Sequence, residues 1–95
     1  MGICLAESEV ISQLSKLTDW NYDVDKKIIL KKYLFKSYLK NISFVNALAW
    51  EANKRMHHPD LEVSYNFCLV KLTTHDEGGV TQRDLDFAKA IDQLF

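Results

Sequence analysis

The sequence predicts an α+β fold, a two-layer sandwich with helices on one face of a small antiparallel sheet. Three observations predict it. Apolar residues recur at helical spacing in three segments, and strand-like runs lie between them. The order reads helix, strand, strand, helix, strand, helix, with room for a further strand inside a longer segment. The first two strands are joined by a short polar turn, so they pair antiparallel, and the helices must cover an apolar sheet face.

Each element has its own signature. Val10, Ile11, Leu14 and Leu17 predict a helix over residues 8–17, with Ser8 as N-cap and Glu9 in the first turn. Trp20 and Tyr22 alternate with Asn21 and Asp23, which suits a short edge strand. The polar stretch 23–26 is a turn, and residues 28–35 form a strand interrupted by Lys31 and Lys32. The longest helical pattern spans 36–56, with Tyr38, Ile42, Val45, Leu48, Ala49, Ala52 and Met56 on one broad face. It stops near His57, because Pro59 biases His58 away from helical backbone. Residues 61–74 read as one long strand, with Val63, Tyr65, Phe67 and Leu69 pointing one way and Cys68, Val70 and Leu72 the other. Apolar residues on both faces suit a central strand or one covered by a partner subunit. Gly78 and Gly79 make a turn. Thr81 with Asp84 forms a capping-box variant that opens a last helix, with Leu85, Ala88, Ile91 and Phe95 inward.

Size and charge narrow the function classes. Ninety-five residues allow one domain, and the 47% hydrophobic fraction supplies one modest core. Twelve basic against 13 acidic side chains leave a net charge of −1, which argues against direct binding of nucleic acid. No apolar run approaches the ~20 residues of a membrane span, and no secretory signal opens the chain, so no membrane partner is expected. Cys4 and Cys68 make neither a disulfide framework nor a zinc ligand set, which favours a reducing, intracellular compartment. A sheet this small has an open edge, and self-association is the natural way to cover it.

The side chains that could do chemistry cluster near element ends. His57 and His58 follow the long helix and His75 follows the long strand. An imidazole can donate or accept a proton near neutrality. Adjacent residues leaving a helix point in different directions, and Pro59 fixes them, so the pair can touch two sides of one ligand. The plainer reading places a cationic His57 at a helix C-terminus, where it meets the dipole favourably. No metal is expected: adjacent histidines lack the i, i+4 or i, i+2 geometry, and no further ligand stands at a recognised spacing. Cys68 lies mid-strand among apolar residues, where a thiol is usually buried and inert. Asp84 caps the last helix, or orients an imidazole if the helix start faces His75. Arg83 is solvated unless a ligand presents acceptors. Trp20 and Tyr65 are packing residues, or platforms for a flat heterocycle.

These residues together resemble a known family. Asn53-Lys54-Arg55-Met56-His57-His58-Pro59, Tyr65, Thr73-Thr74-His75 and Arg83-Asp84 match the signature of the pterin-4a-carbinolamine dehydratases. That signature is His-His-Pro, an aromatic six residues beyond the Pro, a His ten further on and an Asp nine beyond that. Asp19-Trp20-Asn21 followed by Leu34-Phe35-Lys36 resembles the family's first hairpin, so the likeness covers residues 20–95. It implies about three helices on one face of a four-stranded antiparallel sheet, assembled as a homodimer or homotetramer. It also implies a cytoplasmic dehydratase, with a nuclear location open as well. The reaction converts 4a-hydroxytetrahydrobiopterin to quinonoid dihydrobiopterin and water, without metal or organic cofactor. By resemblance His57 and His75 are acids serving the leaving hydroxyl from either face, and His58 positions the pterin. Asp84 and Arg83 support the site, Pro59 and the backbone of Thr74, His75, Asp76 and Glu77 lie along the substrate, and Trp20 covers one side. Animal members also serve as dimerisation cofactors of a transcription factor, which makes the long helix a candidate partner surface.

The chain departs from the family pattern at three places. Asn53 stands where an acid is usual, with Glu51 two positions earlier, Met56 replaces an Asp before the His pair, and Leu61 replaces a Trp. The two lost acids are neighbours that would favour charged imidazoles.

Overall fold

The structure, a computed structural model, describes residues 4–94. The expected inward-facing Phe95 lies outside the described residues. The chain runs α1 (Glu7–Leu14), β1 (Asn21–Asp23), β2 (Ile28–Leu34), α2 (Tyr38–Arg55), β3 (Asp60–Val63), β4 (Phe67–Leu72), a 3-10 turn (His75–Glu77) and α3 (Gln82–Asp92). The four strands form one antiparallel sheet in the order β1-β2-β4-β3, and the three helices pack on it. This is the α+β two-layer arrangement that the patterning predicts. No helix among the described residues is long and apolar enough to cross a membrane.

The expected long strand over 61–74 is instead a hairpin. Ser64 N–H donates to the Phe67 carbonyl at 2.9 Å, and the chain folds back between them. Its apolar alternation hid the turn, because Tyr65 sits between Val63 and Phe67 at strand spacing although it is exposed at the tip. The fold-back also resets the faces: Val63 pairs with Cys68 and shares its side of the sheet. Asn41 ties this turn to α2, its amide donating to the carbonyls of Ser64 at 2.7 Å and Phe67 at 2.8 Å.

That buried amide also explains why the inner face of α2 is rotated from the one expected. Asn41, Phe44, Leu48 and Ala52 are buried, while Tyr38, Ala49 and Met56 are exposed. A polar residue inside a helical stripe is invisible to a search for apolar spacing. At its start, the Ser37 hydroxyl accepts the Lys40 N–H at 3.1 Å. The first helix is shorter than expected and starts earlier: Ala6, not Ser8, stands at its N-cap, without a side-chain cap. Glu7 and Glu9 compensate through the helix dipole. Val10 and Leu14 are buried, whereas Ile11 is exposed.

The core lies between sheet and helices. Ile29, Cys68, Val70 and Leu72 from the sheet meet Phe44 and Leu48 of α2 and Leu85, Phe87, Ala88 and Ile91 of α3. Phe44 lies 4.7 Å from the Tyr33 ring and 5.1 Å from Phe35. At the C-terminal end of α3, the Asp92 carboxylate accepts from Trp20 Nε1 at 3.1 Å, from Lys31 Nζ at 2.9 Å and from the Tyr33 hydroxyl. Lys31 interrupts the strand pattern because it serves this carboxylate. Burial, reinforced by the hydrogen bond to Asp92 and its charge, raises the Tyr33 pKa well above the ordinary phenol value.

Cys68 is fully buried, and burial pushes its thiol up to about 11, whereas Cys4 is partly exposed. The thiolate is the reactive form, and raising the folded-state value keeps Cys68 protonated at pH 8. Native protein at pH 8 is therefore expected to react with a thiol reagent at Cys4 alone, Cys68 reacting only after denaturation. Mass spectrometry showing both thiols alkylated at equal rates in the folded protein would contradict the burial argument.

Candidate active site

The site begins with how α2 ends. Met56 adopts left-handed backbone (φ 51°), and its own N–H and the next close the helix: Met56 N–H donates to the Asn53 carbonyl at 3.2 Å and His57 N–H to the Ala52 carbonyl at 3.1 Å. This is the paired closure that usually employs glycine. It reverses the chain sharply, sending His57 toward α3 and leaving His58 exposed. Pro59 then leads into β3.

The second wall comes from the end of β4. Thr73 anchors the β1–β2 turn, its hydroxyl donating to the Lys27 carbonyl at 2.8 Å. Thr74 pairs with Gly79 in an isolated bridge, which closes the small loop holding His75, Asp76 and Glu77. Gly78 supplies the left-handed backbone (φ 78°) that the loop needs. The third wall is the start of α3. There Asp84 stands three residues past Thr81 and its Oδ2 accepts the Thr81 N–H at 2.9 Å, the capping bond expected from the sequence.

These three stretches enclose a concavity of about 310 Å³ lined by Met56, His57, His58, Asp60, Thr73, Thr74, His75, Asp76 and Arg83. Its size is at the lower end of the roughly 300–1,000 Å³ of small-ligand clefts. All three histidines reach it. His58 and His75 are exposed, while His57 is 8% exposed and its Nε2 lies 2.5 Å from Asp84 Oδ1. Phe87 packs near the His57 ring, with centroids 6.2 Å apart, and the Arg55 guanidinium lies 5.5 Å from the same phenyl. Arg83 donates from Nη2 to the Met56 carbonyl at 3.2 Å. Among the described residues no three His, Cys, Asp or Glu side chains are grouped as a metal site. What the arrangement offers is two solvent-facing imidazoles and one carboxylate-backed imidazole around a polar hollow, groups able to exchange protons with a bound molecule.

Of the residues singled out from sequence, His57, His58, Thr74, His75, Asp76 and Arg83 line the concavity. Asp84 lies fully buried beneath it, and the imidazole it contacts is His57 rather than His75. Pro59 and Glu77 adjoin lining residues without being among them. Trp20 is elsewhere: it packs edge-on to Tyr33 at 6.3 Å, donates to Asp92, and borders a separate hollow beside Ile11 and Leu14. Within this chain it does not cover the histidines, because the Asp92 carboxylate holds its indole at the opposite end of α3. Asp60 and Thr73 also line the site; the sequence gives Asp60 no signal, and Thr73 enters only as part of the Thr73-Thr74-His75 motif. Splitting the 61–74 segment into a hairpin brings them together, since it sets Asp60 at the start of β3 beside Lys71 near the end of β4.

Fold and concavity first define a class: a small α+β protein with a histidine-lined, ligand-sized hollow where one helix ends and another begins. The model of the pterin 4 alpha carbinolamine dehydratase family matches residues 4–94, and the chain belongs to that family. A protein from Picosynechococcus sp. named "putative pterin-4-alpha-carbinolamine dehydratase" is 46% identical over 94 residues, covering 99% of this chain and 100% of that one. A protein of the same name from Legionella pneumophila is 41% identical, with coverage of 99% and 84%. The crystal structure of a transcriptional coactivator/pterin dehydratase from Brucella melitensis superposes with a TM-score of 0.89 at 32% identity, over 94% of this chain and 95% of the other. A pterin dehydratase-like protein described as a RuBisCO assembly factor in the alpha-carboxysome shares the fold at TM-score 0.68 and 21% identity, over 80% and 88% of the two chains.

Left-handed backbone costs a residue with a Cβ about 1–2 kcal/mol, only part of which glycine returns through its own chain entropy. The Met56 side chain is 82% exposed and contributes little packing. Met56→Gly is therefore expected to stabilise the protein by about 0.5–1 kcal/mol, read as a raised urea midpoint. A lowered midpoint would mean the side chain has a packing role that its exposure does not show.

Proposed function

We propose that the chain is a 4a-hydroxytetrahydropterin dehydratase, acting on 4a-hydroxytetrahydrobiopterin or a close relative. The observation that carries the reading is the convergence of His57, His58 and His75 on one concavity from segments far apart in sequence. Loss of water from a carbinolamine breaks the C4a–O bond. The departing hydroxyl takes a proton and leaves as water, while a ring nitrogen gives one up as the quinonoid double bond forms. Imidazoles suit both transfers, each worth roughly 10²–10⁴-fold. His57 and His75 serve the leaving hydroxyl from either face and His58 positions the pterin. Arg83 and Asp84 support the site, and the backbone of Pro59 and residues 74–77 lies along the substrate. Family membership supports the reaction class.

His57→Ala and His75→Ala are each expected to lower turnover by about 10²-fold or more in a stopped-flow assay of carbinolamine decay, with circular dichroism unchanged. A double variant that dehydrates substrate like the parent would overturn these roles.

A second reading concerns the outer face of α2, where Leu39 is 75% and Trp50 72% exposed and a shallow hollow lies between Asn46 and Asn53. Large exposed apolar residues on one helix face support an association surface, for a further copy of the chain or for another protein. On this reading the parent sediments as a dimer or tetramer and Trp50→Glu as a smaller species, in analytical ultracentrifugation. Identical sedimentation of the two would remove α2 as the contact.

A further inference from the structure

The proton count around Asp84 assigns a task to two threonines. Asp84 is fully buried, and its carboxylate accepts three times: from His57 Nε2 at Oδ1, and from the Thr74 hydroxyl (2.9 Å) and the Thr81 N–H (2.9 Å) at Oδ2. Thr74 has one hydroxyl proton, and the carboxylate takes it. The Thr81 hydroxyl, 2.8 Å from that of Thr74, must therefore be the donor of that pair. Both threonines are 5% exposed, so solvent competes little for these bonds. The result is a directed chain, Thr81 O–H to Thr74 Oγ1–H to Asp84, which leaves Oδ1 as an acceptor facing His57. A neutral imidazole carries one proton, and an acceptor fixed against Nε2 holds it there. Nδ1 of His57 has no partner among the described residues.

We infer that Thr74 and Thr81 are positioning residues whose hydroxyls, acting through Asp84, lock His57 in the Nε2–H form and leave Nδ1 as its working atom. Neutral His57 then accepts a proton at Nδ1, and its cation returns the proton from the same atom. This deepens the dehydratase reading and rests on it for turnover alone. The lock is a property of the free protein.

Two measurements test it. Long-range nitrogen–proton correlation spectra of the uniformly labelled parent report which ring nitrogen of His57 carries the proton, with His57→Gln identifying the signal. The expected result is a protonated Nε2 and a bare Nδ1. Thr74→Val, which removes one donor while keeping the shape, is expected to mix the two tautomers and to lower kcat about tenfold with KM little changed. Thr74→Ser, which retains the hydroxyl, is expected to restore the single tautomer and most of kcat. A parent protonated at Nδ1, or a Thr74→Val spectrum identical to the parent's, overturns the inference. If Thr74→Val does not fold, Thr81→Val, which removes the other hydroxyl of the chain, decides it: mixed tautomers are expected, and a spectrum identical to the parent's overturns the inference. A parent with the Nε2 proton in place but no dehydration overturns the dehydratase reading and leaves the positioning role intact.

Discussion

A carboxylate with no exposed surface is costly unless every lone pair that matters is met, and Asp84 meets that demand with donors from three parts of the chain. The requirement organises the site. His57 must come from the end of α2, Thr74 from the end of β4, and the Thr81 N–H from the cap of α3. Each end can arrive only if its element stops where it does. The left-handed Met56 turns the chain toward α3, and the bridge from Thr74 to Gly79 holds the loop that carries His75. Histidines that are distant in sequence share one hollow because their supports share one acid.

The carboxylate is also why this site differs from three histidines on a surface. Two of the rings face solvent. The third is held by an anion that water cannot reach, so its orientation is set by the fold. Of the departures from the family pattern, Met56 lies on the rim of the hollow and Asn53 on the outer face of α2, and both leave this buried acid untouched. A backbone carbonyl of Met56 still holds Arg83, which needs no side-chain acid at that position.

Much of this was legible in the sequence, and what was not has physical causes. The capping box at Thr81 and Asp84 is local chemistry, and so is the stop imposed near Pro59; both were readable. The three histidines were found because their spacing is distinctive. The hairpin within 61–74 was missed because an exposed Tyr65 mimics strand alternation. The inner face of α2 was misjudged because its first buried residue, Asn41, is polar and earns burial through carbonyls more than twenty residues away. Trp20 was set beside the histidines by likeness alone; its partner is Asp92, a long-range acceptor that periodicity does not reveal.

Asp92 gives α3 a second anchor. Eight residues, about two turns, separate it from Asp84, and each acid binds its end of the helix to different strands and loops. A rod pinned at both tips cannot pivot about either. The ring of His57 is coupled to that rod, whereas His75 sits on a short loop outside it. The loop's base is nonetheless tied to the same rod, because the Thr74 hydroxyl reaches Asp84, so both jaws of the hollow are referenced to one helix.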